Sequence, residues 1–97
     1  MFDAGPLEWD VLNKARAIDN QMYVLSAAPG RNTTSGHISF AHSMVVDPYG
    51  RVLQQAGYEE EILYATLEMH TISEARRKQD LNRMRRTDLY TLKDLTL

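Results

Sequence analysis

The four residues Asp47-Pro48-Tyr49-Gly50 constrain this chain more than any other stretch of it. Aspartate first, proline second and glycine last are the preferences of a type I turn. Met44-Val45-Val46 runs into the turn and Arg51 to Gln55 runs out of it, so the two arms predict an antiparallel hairpin within AHSMVVDPYGRVLQQAG. A hairpin this apolar has to bury at least one face, and isolated two-stranded hairpins are marginal in water. The rest of the chain must supply its cover.

Upstream, GPLEWDVLNKARAIDN carries helix signals at both ends. Gly5 and Pro6 suit the cap and first turn, Glu8 and Asp10 sit where the helix dipole favours anions, and Lys14 and Arg16 lie toward the opposite end. Leu7, Val11, Ala15 and Ile18 fall on one stripe with Leu12 beside it, which predicts that this stripe faces the core. Trp9 lies off the stripe, which fits either a second contact surface or an aromatic at the edge of the core. Gln21 to Ala28, QMYVLSAA, is short and nearly continuous in apolar residues, as a strand covered on both faces would be. It ends at Pro29-Gly30, and RNTTSGH reads as a polar loop.

Beyond the hairpin, Ile62 to Met69 alternates, with Leu63, Ala65, Leu67 and Met69 on one side, and predicts a further strand of the same sheet. Thr71-Ile72-Ser73-Glu74 has capping-box spacing and predicts a short helix starting there. The closing residues, 84–97, have no clear period and read as an extended tail. Helix, strand, hairpin, strand and short helix make residues 1–97 one α/β segment. One good helix and about four strands leave a doubly apolar strand without enough cover, so the segment reads as part of a larger domain.

Composition removes several functions. With 11 basic residues against 13 acidic ones and a net charge of -2, no overall positive field exists to hold nucleic acid or an anionic membrane. No apolar run approaches the ~20 residues of a membrane span, and MFDAGPLEWD has neither the basic start nor the apolar core of a signal peptide. The cytosol is the expected compartment, with the mitochondrion as the alternative. Asn32-Thr33-Thr34 matches a glycosylation acceptor but reads as loop without a secretory signal. There is no cysteine, which excludes disulfides, thiolate metal sites and a thiol nucleophile within the chain.

The remaining candidates are weak as chemistry. Ser39 or Ser43, His37 or His42, and Asp47 would have to form a triad, yet Ser43 and His42 are neighbours on a predicted strand and no nucleophile elbow is present. His37 and His42 have no third ligand at a familiar metal spacing, so no metal or other cofactor is expected. Glu59-Glu60-Glu61 reads as a solvated turn. Arg76, Arg77 and Lys78 with Arg83, Arg85 and Arg86 read as ion pairs within a larger assembly rather than a nucleic-acid surface.

Taken in order, GPLEW, KARAIDNQMYV, AHSMVVDPYGRVL and RRTDLY resemble the C-terminal part of the nitrilase superfamily of carbon–nitrogen hydrolases, most closely its ω-amidase branch. The resemblance implies the C-terminal portion of a four-layer αββα sandwich, about its last third. It also implies a catalytic glutamate, lysine and cysteine lying upstream of the matched region, so no catalytic residue is assigned within this chain. The implied substrate of the complete protein is a small-molecule amide, such as 2-oxoglutaramate or succinamate. The alternatives are another amidase of the superfamily, acting on deaminated glutathione or carbamoylated amines, and a non-catalytic remnant that binds family members. Ala4 stands where the family usually has a threonine at the substrate pocket edge, Glu8 where a histidine is common, and Ala41 where Gly-His-Ser would have glycine. The resemblance further implies a homodimer, with Trp9 and Arg16 on the outward, interface side of the first helix.

Overall fold

The computed structural model describes residues 4–30 and 40–96. The elements run α1 (Ala4–Asn20), β1 (Val24–Ser26), β2 (Met44–Val46), β3 (Val52–Gln55) and α2 (Met69–Lys78). The three strands form one antiparallel sheet in the order β1-β2-β3. Val24 pairs with Val46, which pairs with Val52, and Leu25 pairs with Val45, which pairs with Gln54; an irregularity falls between Val45 and Val46.

The hairpin forms as its turn residues dictate. Gly50 N donates to Asp47 O at 2.9 Å and Asp47 N donates to Arg51 O at 2.9 Å. The Asp47 carboxylate, itself buried, accepts from Tyr49 N and Arg51 N at 2.9 Å each and from Arg51 Nε at 2.6 Å. Gly50 has φ 85 and lies so close to α1 that a Cβ there would sit 2.7 Å from Ile18 Cδ1. A side chain would meet both obstacles at once.

Alternation on the sheet gives two faces. One, carrying Val24, Met44, Val46 and Val52, packs under α1 around Ala17 and Trp9. The other leaves Leu25 exposed at 61% and Leu53 partly exposed. Val45, the partner of Leu25 on this face, is buried, while Leu25 itself lacks the cover that one helix and a few strands were too few to provide.

The orientation of α1 also differs from the reading of its apolar stripe. Leu7 (65%), Val11 (63%) and Ile18 (46%) are exposed, while Ala17 is fully buried and Asn13 nearly so. Polar bonding and small size decide the matter. Trp9 Nε1 donates to His42 O at 2.7 Å, Asn13 Nδ2 donates to Trp9 O at 2.8 Å, and the Ser26 hydroxyl donates to Asn13 Oδ1. Ala17 permits the close approach over Met44 and Val46 that a larger residue would prevent. Trp9 therefore faces the sheet, which corrects its expected outward placement, and Arg16 is exposed.

Residues 61–68 carry no regular structure, so the further strand does not form within this chain. The helix that follows begins at Met69, with Glu68 as its N-cap and no side-chain cap bond. The capping box at Thr71 and Glu74 is not used as a cap; Glu74 instead accepts from the Tyr49 hydroxyl at 2.7 Å. Past α2 the chain has turns at residues 81–84 and 87–89 and no further helix or strand among the described residues.

Candidate functional site

The concave feature nearest the sequence candidates is a cleft of about 490 Å³ between Ala28–Gly30, Ala41–Ser43 and Ala56–Gly57, with Glu59 to Glu61 on its rim. Its floor is set by an unusual backbone. Ala41 and His42 both have positive φ, 63 and 61, a region costly for residues with a Cβ. This double kink precedes β2, so His42 and Ser43 are not on a strand, and their separation arises from the kink rather than from strand alternation.

The His42 ring stacks on Phe40 with centroids 4.2 Å apart, meets Tyr58 edge-on at 4.5 Å, and places Nδ1 2.6 Å from Phe40 O. Ser43 Oγ accepts from Ala28 N at 2.8 Å and donates to Ala28 O at 3.1 Å. Its hydroxyl extends the pairing of β1 with β2 by one side-chain link. Asp47 is committed to the hairpin turn. The three candidates of a triad thus serve three separate structural tasks. Ser39 and His37 lie outside the described residues. Among the described residues no group of three metal-ligating side chains is assembled.

The N-terminus of α1 meets the same kink. A Cβ on Gly5 would fall 2.5 Å from Phe40 Cβ, so the glycine permits close approach as well as starting the helix. Ala4 is the first residue of α1, beside this contact. The glycine that the family pattern carries in place of Ala41 now has a physical reason, namely the positive φ at that position.

Sequence reasoning missed a second cluster, at the far end of the sheet. Gln21, with φ 51 and its side chain buried, donates through Nε2 to Ala75 O at 3.1 Å and to Gln79 O at 2.5 Å. It thereby ties the end of α1 to the end of α2, and only the apolar context of a lone polar residue hinted at it. Close by, Lys78 Nζ lies 3.3 Å from the Glu74 carboxylate that the Tyr49 hydroxyl also reaches. The hydrogen bond from Tyr49, then Lys78, holds the Glu74 carboxyl below its ordinary value. Glu74 in turn pushes Tyr49 and Lys78 upward. This cluster docks α2 on the hairpin turn and contains no arrangement for bond-making.

The carbon–nitrogen hydrolase family matches residues 2–77. Omega-amidase NIT2 of Mus musculus is 43% identical over 88 residues, which is 91% of this chain and 32% of that protein. Omega-amidase NIT3 of Saccharomyces cerevisiae is 44% identical over 87 residues, 90% of this chain and 30% of that protein. The crystal structure of S. cerevisiae Nit3, a member of branch 10 of the nitrilase superfamily, superimposes with a TM-score of 0.81 at 43% identity, over 86% of this chain and 31% of that one. The C. elegans NitFhit protein gives a TM-score of 0.83 at 38% identity, over 91% of this chain and 21% of that one. The chain spans about a third of the length of the omega-amidases it matches. Its sheet and helices are a portion of the nitrilase-superfamily fold, and the chain belongs to the carbon–nitrogen hydrolase family.

Proposed function

We propose that this chain is the C-terminal portion of an ω-amidase-like carbon–nitrogen hydrolase. The observation that carries the reading is the match of about nine-tenths of the chain to omega-amidases of which it spans only a third. In the complete protein a cysteine attacks the terminal amide of a small dicarboxylic acid monoamide such as 2-oxoglutaramate or succinamate. A tetrahedral oxyanion forms, ammonia leaves, and water releases the acid from the thioester. Those 97 residues hold no cysteine, so they supply scaffold rather than nucleophile, and alone they turn over no amide.

Their contribution is positional. The close approach of Gly5 to Phe40 and the kink at Ala41–His42 fix the entry to α1, and the family resemblance puts Ala4, its first residue, at the edge of the substrate pocket. Alanine there offers substrate no hydroxyl, which shifts recognition to other groups. The complete protein forms a homodimer through α1, a reading supported by the exposure of Leu7, Val11 and Ile18 on one stripe and of Arg16 on another. The protein acts in the cytosol.

The substrate assignment is tested in a chimera joining this chain to the upstream two-thirds of the yeast relative. Ammonia release from 2-oxoglutaramate and succinamate exceeding that from deaminated glutathione and carbamoylated amines supports it. A preference for either of the latter replaces it with another amidase of the superfamily.

A further inference from the structure

Among the described residues, three other than glycine have positive φ, and one of them is ordinary. Gln21, with φ 51, follows the last residue of α1, where a left-handed residue ends many helices. Ala41 and His42, with φ 63 and 61, are consecutive and precede a strand, so no helix end accounts for them. Left-handed residues that bear a Cβ persist only where their surroundings hold them, and they gather at functional sites.

Much of the hold on this kink comes from α1. Before the kink, Phe40 lies so close to Gly5 that a Cβ on the glycine would fall 2.5 Å from Phe40 Cβ. After it, Trp9 Nε1 donates to His42 O at 2.7 Å, a bond between residues 33 apart in the chain. Gly5 and Trp9 are four residues apart in one helix, hence on one face of it, and they meet the two sides of the same kink. The glycine supplies clearance and the indole supplies a donor. Across the kink the His42 ring places Nδ1 2.6 Å from Phe40 O, and His42 N donates to Gly57 O at 3.2 Å. Ala41, His42 and Gly57 also line the cleft of about 490 Å³, so what holds the kink shapes the cleft.

Resting on the reading of the chain as part of an amide hydrolase, we propose that Gly5 and Trp9 are positioning residues of its substrate site. Gripping the Ala41–His42 kink from both sides, they fix the cleft wall against which the amide substrate is seated. Neither residue lines the cleft, so both act through the kink. The chain has no cysteine, so the clamp bears on binding rather than on the attacking group. A cleft whose competent form is only part of the population binds more weakly in proportion. The penalty of a left-handed alanine is of the size of one hydrogen bond, so losing the indole N–H is enough to let the kink relax.

The test uses the chimera with the upstream two-thirds of the yeast relative. Trp9→Phe keeps an aromatic ring against the sheet and removes the donor. Amide exchange over residues 40–43 should then quicken by about threefold to tenfold, and KM for 2-oxoglutaramate should rise by a similar factor with kcat unchanged. Gly5→Ala, which sets a Cβ against Phe40 in a helix where alanine is otherwise the better residue, should raise KM in the same way. Adding Ala41→Gly to Trp9→Phe should bring exchange and KM back toward the parent, because glycine accepts positive φ without penalty. Tyr23→Phe controls for general loosening. It loses hydroxyl bonds to Glu68 N and Glu68 O, at 3.1 and 3.3 Å, at the opposite end of the sheet, and should move neither reading. Exchange unchanged by Trp9→Phe, or quickened with KM unchanged in an active chimera, overturns the inference and leaves the proposed function standing. An equal rise in KM from Tyr23→Phe, or no recovery with Ala41→Gly, does the same. A folded chimera that hydrolyses no amide removes the proposed function and the positioning role with it.

Discussion

Replacing Gln21 with glutamate exchanges an NH2 for an oxygen at the point where two helices end. The native amide donates to Ala75 O at 3.1 Å and Gln79 O at 2.5 Å, and its oxygen accepts more weakly from Leu81 N at 3.4 Å. Both carbonyls keep another donor, Gln79 N and Leu81 N respectively. Gln21→Ala therefore loses three bonds, the one from Leu81 N the weakest, without orphaning an acceptor, a cost of about 1–3 kcal/mol. Gln21→Glu is worse, because a carboxylate cannot donate and would face two carbonyl oxygens at the negative end of α2 while sitting just past the negative end of α1. Lys78 is paired with Glu74, and Arg76 reaches Asn20 O at 3.5 Å with its buried Nε unpartnered. An uncompensated buried charge costs about 3–5 kcal/mol.

The glutamate can escape that cost by holding a proton, which raises its folded-state pKa above the unfolded value of about 4.3. A raised pKa means that the deficit is absent below about pH 4 and grows by about 1.4 kcal/mol per unit as pH rises, until the folded pKa is passed. Urea midpoints of the chimera, followed by far-UV circular dichroism from pH 4 to 8, measure this. Gln21→Ala should show a constant deficit and Gln21→Glu one that widens with pH. A Gln21→Glu variant as stable as the parent at pH 7, or a deficit independent of pH, would refute the assignment of the Gln21 side chain as donor to the two carbonyls at the end of α2.

Other changes are expected to act as follows, each measured in the same chimera. Asp47→Ala unseats two turn N–H groups and costs about 2–4 kcal/mol, whereas Asp47→Asn keeps an acceptor oxygen and costs about 1 kcal/mol, read as a shift in urea midpoint. Ala41→Gly relieves about 1–2 kcal/mol of positive-φ strain against a comparable gain in unfolded-state entropy, so stability should hold or rise slightly, while Ala41→Val should lower it clearly. The Tyr49–Glu74–Lys78 cluster should hold α2 in a middle pH window. Glu74's contribution is present above its ordinary value of about 4.5 and is lost as pH falls through its lower folded value; those of Tyr49 and Lys78 are lost as pH rises above about 10. Far-UV circular dichroism of the chimera should show helix loosening at both limits, and Tyr49→Phe should remove the contribution of the phenol.

Sequence patterns read the hairpin well because its turn is local: Asp47, Pro48 and Gly50 each meet a requirement within four residues of chain. The helix Ala4–Asn20 was equally legible in extent, yet its facing was not. A periodic stripe shows which residues share a side and not which side meets the sheet. Here the small Ala17 and the hydrogen-bonded Trp9 and Asn13 determined the packing, and the apolar stripe was left outward. Ile62 to Leu67 failed for a related reason, since its pattern is that of a strand but pairing needs a neighbour. The positive φ at Gln21, Ala41 and His42 has no signature in those side chains, although the family's glycine at position 41 marks one of the three.

The central claim, that this chain completes a carbon–nitrogen hydrolase without carrying its chemistry, is tested most directly by ammonia release from 2-oxoglutaramate. Three proteins are compared: the chain alone, the upstream two-thirds of the yeast relative alone, and the two joined. The account predicts no turnover from either part and turnover from the joined protein. Turnover by the chain alone that persists through repurification would contradict it, as would a folded joined protein that releases no ammonia.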